Sequence, residues 1–517
     1  MRAQIRTTQA GARTIVREAD ARYDLLVVGG GVNGTGIARD AAGRGLSVLL
    51  CEKDDLASHT SSASTKLIHG GLRYLEDFHF ALVRKALRER EVLLGAAPHI
   101  MRPLRFVMPH DAHLRPAWMI RAGLFLYDHL AKRKLLAASS SVNLRKHTAG
   151  EPLLPRYQRG FIYSDGWTDD ARLVSLNAVD AAERGARVLT QTACESLRAH
   201  EGGWLATLNA GNQQFQVQAR AVANAAGPWV SQFVKDASPI QARHAVRLVK
   251  GSHIVVPQLF AHRFAYIFQN ADRRIVFAIP YEHEFTLIGT TDVDYHGDPN
   301  SVDIEPQEID YLCAIINRYF NHRTRPTDVV WSYSGVRPLL HDESTDPSAV
   351  TRDYALELDR EPAPLLSVFG GKITTYRRLA ETAVDILAQQ LGNTHGGWTE
   401  SARLPGGDLP GGTMATFLRV VERHYSWMPV EMRRRLAHAY GSRIERVVGD
   451  AHSLADLGRE LLPQLHEREV SYLYREEFAR TATDILWRRT KLGLHARGAD
   501  TAPLEDYLRR EAAQRRN

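Results

Sequence analysis

"YDLLVVGGGVNGTGIARDAAGRGLSVLLCEKDDL", from Tyr23 to Leu56, is the stretch on which the fold of this 517-residue chain turns. Leu25 to Val28 make a short, uncharged apolar run, the pattern of a parallel strand buried on both faces. Gly29-x-Gly31-x-x-Gly34 follows at once. The spacing then predicts a helix from about Asn33 to Ala42, ended by Gly43 and Gly45, and a second strand from Ser47 to Cys51. Glu52 stands at the end of that strand.

Strand, glycine turn, helix, strand and acid in this order form a βαβ unit suited to a dinucleotide. Gly29 permits the tight turn, Gly31 lets the backbone approach a pyrophosphate, and Gly34 lets helix and strand pack closely. Amides at the helix N-terminus favour the phosphate charge. Glu52 accepts both hydroxyls of an adenosine ribose, and its charge argues against a 2'-phosphate. A simple NAD enzyme would continue into another βα unit. This chain instead enters "SSASTKLIHGGLRY" (Ser61 to Tyr74), rich in hydroxyls and carrying a glycine pair. Such a loop can line the phosphates, ribityl chain and ring of a flavin. A surface loop with Ser61 or Ser62 capping a helix is the plainer alternative, and the loop alone does not choose.

With its continuation to Glu76, that loop resembles the flavin loop of the FAD-dependent, membrane-associated sn-glycerol-3-phosphate dehydrogenases. "LVKGSHIVVP" (Leu248 to Pro257), "LIGTTDVDY" (Leu287 to Tyr295), "WSYSGVRPLL" (Trp331 to Leu340) and "SVFGGKITTYRRLAE" (Ser367 to Glu381) are similar to further family motifs, in the family's order. The similarity runs from about Tyr23 to the C-terminal "DILWRRTKLGLH". It implies an α/β (α+β) fold. A Rossmann-like FAD-binding domain of the D-amino-acid-oxidase type (20–100, 160–239 and 334–395) would accompany an antiparallel-sheet substrate and membrane-facing domain (101–159 and 240–333). A C-terminal α-helical domain (405–517) would follow. The implied activity is oxidation of glycerol 3-phosphate to dihydroxyacetone phosphate, with hydride passing from C2 to flavin N5 and electrons to ubiquinone or menaquinone. Around FAD the resemblance places Gly29, Gly31, Asn33, Gly34, Glu52, Lys53, Ser61, Ser62, Ser64 and Lys66. It adds His69, Gly70, Gly227, Gly371, Lys372 and Thr374.

The implied substrate is a small alcohol bearing a phosphate dianion. Its phosphate calls for arginine forks and lysine point charges. Arg337 in "SGVRP", Lys372 after Gly370-Gly371, and Arg73 with Tyr74 match the family's substrate pocket. Removal of the hydroxyl proton calls for a base, and histidine is the usual choice. Among 22 histidines, His253 in "KGSHIVVP" is the preferred base and His69 the runner-up, which can instead contact the flavin. Arg73 can also orient the substrate hydroxyl, and Thr290 in "GTTD" can donate to it. Thus His253, Arg73, Arg337 and Lys372 are the candidate catalytic residues, and Tyr74 and Thr290 complete the substrate set. No metal site is expected.

The rest of the chain bounds these readings. Residues 169–192 read as helix then strand, and a β-meander is expected to end in a buried strand at 221–224, with Gly227 and Pro228 turning beside the flavin. "RLPGGDLPGG" (Arg403 to Gly412) reads as a linker, and the helical stretches beyond it as carrying most of their arginines on solvated faces. There is no internal repeat. Three distant cysteines, Cys51, Cys194 and Cys313, form no framework and suit a reducing compartment. The start of the chain shows basic residues but no apolar leader. No uncharged apolar run reaches the roughly 18 residues of a membrane span. The excess of 66 basic over 59 acidic residues suits an anionic membrane face or substrate. Nucleic acid is not expected, since no zinc finger, RNP signature or long basic block occurs. "RPAWMIRAGLFLYDHLAKRK" (Arg115 to Lys134) is the best segment to lie in a headgroup plane, with ordinary packing as its alternative. The expected location is the cytoplasmic face of the cell membrane, and a homodimer is left open. Competing functions are a glycerol-phosphate oxidase using dioxygen, another D-amino-acid-oxidase-like enzyme acting on amino acids or amines, and a non-catalytic FAD scaffold.

Overall fold

The computed structural model describes residues 21–514 apart from 77, 112–113, 212, 242–245, 271, 273 and 341–353. The basic start of the chain, where no apolar leader was expected, falls outside them. β1 (Arg22–Val28), α1 (Val32–Gly43) and β2 (Val48–Cys51) form the expected unit. β1 lies parallel between β2 and the strand Gln213–Asn224, and Arg187–Leu189 and Leu365–Gly370 extend the sheet to either side. Leu25, Leu26 and Val27 are fully buried, as a doubly covered strand requires. α1 can cross β1 closely only because Gly34 lacks a side chain: a β-carbon there would lie 1.9 Å from the Gly29 carbonyl oxygen. Gly29 itself holds φ at +109°, a region open to glycine. The expected meander is present as Ala193–His200, Gly203–Ala210 and Gln213–Asn224.

A second, mostly antiparallel sheet supplies the opposite wall. Val246–Pro257 pairs along its length with Trp331–Leu340 and on its other side with Phe285–Gly289. Met101–Pro109 pairs with Arg159–Thr168, which also takes the short strand Leu67–Ile68. The sheets therefore divide the chain differently from the expected boundaries. Residues 160–168 and 334–340 belong to the second sheet, and among the described residues that follow, Tyr354–Asp359 belongs to the first. Both strands alternate or run apolar in a way that fits either sheet, so only pairing separates them.

Helices from Met414–His424 onwards enclose their own core around Phe417, Leu436, Tyr440 and Leu473. Two expectations fail here. "RLPGGDLPGG" is not a loose linker: Leu404 and Leu409 are buried, and β-carbons at Gly406 and Gly407 would collide with the Tyr440 and Ala96 carbonyls. Several arginines are not on solvated faces. Arg489 is 0% exposed, Arg443 is buried against Glu183 and Tyr472, and Arg435 holds Glu469 at 2.6 Å. Helical periodicity marks an exposed face, but acids distant in the chain, Asp55 and Glu183 outside this domain and Glu469 within it, turn these arginines inward.

His99 sits at this seam, 2% exposed; burial first, then Arg172 and His438, push its pKa down to about 3. The unfolded chain takes up this proton near pH 6.5, and the folded chain refuses it until about 3. Stability from this group is therefore complete above about pH 6.5 and is lost as pH falls. His99→Leu is expected to remove one proton's share, about 1.4 kcal/mol per pH unit, from the acid slope of unfolding free energy. Denaturant titrations between pH 4 and 7 measure it, and an unchanged slope contradicts the assignment.

Candidate active site

Between the two sheets lies a cavity of about 930 Å³. Its walls bring together Gly29, Gly31, Asn33, Glu52 and Lys53 from the βαβ unit and Ser61, Ser64, His69, Arg73 and Tyr74 from the loop. Gly227, His253, Thr290, Arg337, Gly371, Lys372 and Thr374 line it as well. Four expected cofactor residues do not line it. Gly34 serves the α1–β1 crossing. The Ser62 hydroxyl donates to the His59 carbonyl at 3.3 Å. The Gly70 amide donates to Tyr127 Oη at 2.9 Å, with Leu87 crowding its α-carbon. Lys66 is 1% exposed and donates to Asp170 Oδ1 at 2.7 Å. Burial pulls its pKa down, against the attraction of Asp170.

Hydroxyls of the loop and its flank also make bonds within the protein. Thr60 Oγ1 donates to the Val336 carbonyl at 2.6 Å, Ser64 Oγ to Asp170 Oδ2 at 2.7 Å, and Thr65 Oγ1 shares a 2.9 Å bond with His253 Nε2. Tyr333 Oη donates to the Ser64 carbonyl at 2.9 Å. Together they brace the loop between the sheets. Ser61 differs: its Oγ accepts from the Val32 amide at 3.0 Å, at the N-terminus of α1.

Beside the glycine turn, Glu52 Oε2 accepts from the Gly30 amide at 2.6 Å and Oε1 from the Asp54 amide at 2.9 Å. Burial raises its pKa, and the two amides oppose the rise. Lys53 Nζ lies 3.8 Å from the Trp229 ring centre. Glu52, Asp54 and His59 bring three ligand-type atoms within 4.8 Å. Asp54 Oδ2 and His59 Nε2 are already bonded at 2.7 Å, and the Glu52 oxygens hold amides. At the other end, Gly370 and Gly371 hold φ at +72° and +105°. Asn33 Nδ2 donates to the Gly370 carbonyl at 3.2 Å, and the His69 amide to Thr374 Oγ1 at 3.2 Å. The N-terminus of α1, a buried acid just after β2 and a glycine turn opposite form a cradle that fits a dinucleotide with its second ring against Gly371.

A compact polar cluster surrounds His253 on the cavity wall. His253 is 2% exposed and stacks on Tyr333, centres 4.8 Å apart. Gly289 faces it across the sheet and must be glycine, since a β-carbon would meet His253 Cδ2 at 2.1 Å. Burial first, then Lys66 and Arg337, keep the imidazole well below its usual pKa, so it is neutral. Lys372 Nζ lies 4.0 Å from the Tyr74 ring centre, a cation–π contact. Arg337 Nη2 donates to the Thr291 carbonyl at 3.0 Å, and Nη1 pairs with Asp292 Oδ1 at 2.7 Å.

Sequence reasoning missed Asp292, although it follows Thr290 by two residues in the quoted "LIGTTDVDY". A carboxylate beside a cationic pocket had no role in a phosphate clamp. Reasoning also missed Glu308, which accepts from Thr291 Oγ1 at 2.6 Å, Ser252 Oγ at 2.9 Å and Lys250 Nζ at 2.9 Å. That buried carboxylate knits the "KGSH" and "GTTD" strands together. A helix N-terminal acid 56 residues from its serine partner leaves no local signal.

Cradle, loop and cavity define a flavin-binding oxidoreductase. Residues 24–377 match the family described as FAD dependent oxidoreductase, and residues 398–507 the C-terminal domain of alpha-glycerophosphate oxidase. The glycerol-3-phosphate dehydrogenase of Pseudomonas aeruginosa is 53% identical over 497 residues, 95% of this chain and 96% of that protein. The D-erythritol 1-phosphate dehydrogenase of Brucella abortus is 50% identical over 488 residues, 94% of this chain and 97% of that one. A solved glycerol-3-phosphate dehydrogenase from Bacillus halodurans, complexed with FAD, is similar with a TM-score of 0.74 at 30% identity, covering 96% of this chain and 94% of that one. The chain belongs to the FAD-dependent glycerol-3-phosphate dehydrogenase family, and its cofactor is FAD.

Gly251 keeps room for the arginine: a β-carbon there would lie 2.2 Å from Arg337 Nη2 and 2.8 Å from Thr290 Oγ1. Gly251→Ala is expected to displace the guanidinium and raise KM by about tenfold or more, the loss of one charge-assisted contact. FAD content should be normal, and an unchanged KM refutes this placement.

Proposed function

We propose that the enzyme oxidises sn-glycerol 3-phosphate to dihydroxyacetone phosphate and delivers the electrons to a membrane quinone. The observation that carries this reading is the joining of Arg73, Arg337, Lys372 and a neutral buried His253 in one cavity with the FAD cradle. When bound, FAD supplies the acceptor for the hydride leaving C2. The protein does the rest. Arg73, Arg337 and Lys372 hold the phosphate, and Tyr74 keeps the Lys372 ammonium aimed. His253 takes the hydroxyl proton at Nε2, where Thr65 Oγ1 provides a relay. Thr290 donates to the developing carbonyl oxygen. Asp292 tempers the charge of Arg337 and accepts from a free substrate hydroxyl, a task a phosphate clamp alone leaves undone. An amino-acid substrate fits less well, because its ammonium would face three cations.

A second substrate has its own support. The D-erythritol 1-phosphate dehydrogenase is as similar to this chain as several glycerol-3-phosphate dehydrogenases are. A four-carbon polyol phosphate keeps the same phosphate and adjacent hydroxyl. Anaerobic titration decides. Glycerol 3-phosphate should bleach the bound flavin, and faster bleaching by erythritol phosphate would reassign the substrate. Arg337→Ala should weaken binding by about 100-fold, consistent with about 3 kcal/mol for charged hydrogen bonds. His253→Ala should bind normally and reduce the flavin at least 100-fold more slowly, the usual contribution of a general base. Reduction of the His253 variant at the parent rate excludes it as the base.

The acceptor must be reached at a bilayer, on the cytoplasmic face in this reading. No helix among the described residues is long and apolar enough to cross a membrane. The helix Ala117–His129 exposes Trp118 at 71% and Phe125 at 57%, flanked by Arg115, Lys132 and Lys134. Its inner side is fixed by buried Leu124 and Tyr127. Such a face suits the headgroup layer of anionic lipid. The double change Trp118→Ser and Phe125→Ser should cut binding to anionic vesicles by about tenfold or more, from the lost burial of two aromatic rings. Quinone turnover on vesicles should fall with it, while anaerobic flavin reduction is unchanged. Peroxide formation outpacing quinone turnover would favour an oxidase instead.

A further inference from the structure

The C-terminal domain reaches back to both ends of the loop that frames the cofactor, and it does so with charges. Asp55 follows the ribose acid Glu52 by three residues and is buried. Its Oδ1 accepts from Arg489 Nη2 at 2.8 Å, and its Oδ2 from Arg489 Nη1 at 2.9 Å and Arg488 Nε at 2.7 Å. The next two residues carry this contact into the glycine turn. The Ala57 amide donates to the Gly30 carbonyl at 3.2 Å, and a β-carbon on Gly30 would lie 3.0 Å from Leu56 Cδ2. At the far end of the loop, Lys491 pairs with Asp169 at 3.3 Å, one residue before the Asp170 that holds Ser64 and Lys66. Between these points Trp487 stacks on Trp331 of the second sheet, centres 4.6 Å apart.

All four side chains come from residues 487–491. They straddle the end of a π-helical turn, Asp484–Arg489, and a left-handed Lys491 at φ +61°. Helices of this kind are rare and concentrate at functional positions. Arg489 is held from behind by the Glu477 carbonyl, at 2.9 Å from Nη2 and 3.2 Å from Nε. Its fork is therefore aimed before it meets Asp55. Adhesion alone does not call for such charges, because apolar packing of equal volume joins two buried surfaces at least as well. What a bidentate arginine–carboxylate pair adds is one allowed geometry.

We infer that residues 487–491 are a clasp by which the C-terminal domain sets the grip of the cavity on FAD. Arg489 and Arg488 are positioning residues that act through Asp55 on Glu52 and the glycine turn. Release of FAD then requires the domain to loosen, and bound FAD in turn holds the domain in place. The inference stands on the cofactor and is independent of the substrate proposed above.

Holoenzyme diluted into FAD-free buffer reports the grip through the fluorescence of released FAD. Arg489→Met should release FAD about tenfold faster or more, as loss of charged hydrogen bonds implies. Arg489→Lys should fall between it and the parent, since a point charge keeps attraction without the fork. Arg488→Gln, at a less buried position, should accelerate release by about threefold. Arg435→Met removes an ion pair with Glu469 that lies wholly within the C-terminal domain. It should lower the melting temperature and leave release unchanged. Parent-rate release from Arg489→Met and Arg488→Gln overturns the clasp. Equal acceleration by Arg435→Met also overturns it, because the effect would then be general loss of stability. If Arg489→Met does not fold, Arg489→Lys and Arg488→Gln carry the same comparison.

Discussion

The pairing of Lys66 with Asp170 is the contact on which the geometry of the site depends. Both side chains are almost wholly removed from water, 2.7 Å apart. Leaving either one alone would strand a buried charge at a cost of about 3–5 kcal/mol. Asp170 begins the helix that packs on α1, and it holds Ser64 as well as Lys66. The same few residues reach the second sheet through Thr65, His253 and Tyr333. Two sheets with separate hydrophobic cores are in this way set in one register by a polar loop. The cavity between them inherits that register.

Charge balance then shapes what the cavity can bind. An uncompensated set of cations would attract any anion. Asp292 against Arg337 and Tyr74 against Lys372 temper and aim the pocket. His253 is kept neutral by burial and by the positive neighbours Lys66 and Arg337, so it adds no charge of its own. Glu308 stabilises the strands beneath this cluster through bonds to Thr291, Ser252 and Lys250. The strands that carry His253 and Thr290 to the cavity wall are thus tied together beneath it by a buried carboxylate.

The seam with the C-terminal domain follows a similar rule. Arg172 meets Glu477, Arg489 meets Asp55, and Arg443 meets Glu183, all at or beneath the surface. Glycines at 406, 407 and 441 let the connecting backbone press against Ala96, Tyr440 and His99. The domain is docked, and the cofactor loop is part of its docking surface.

The βαβ unit was legible because its causes are local. An apolar run makes the strand, and steric contact between α1 and β1 demands glycine at position 34. An acid at the strand end is needed wherever a ribose is held. The family motifs likewise carried His253, Arg337 and Lys372 to the cavity wall, although Arg337 lies within the strand Trp331–Leu340 and not at the turn that Gly335 and Pro338 suggest. Other features depended on partners far away in the chain. Lys66 reads as a loop cation until Asp170, 104 residues on, claims it. Arg489 reads as a solvated helix residue until Asp55, 434 residues back, meets it. The sequence by itself determined a dinucleotide fold and the residue types of its pocket, because backbone sterics and periodicity act over a few residues. Tertiary structure alone decided which hydroxyls brace the loop, which acid tempers Arg337 and which arginines are buried, because hydrogen-bond and ion-pair partners are chosen by proximity in space.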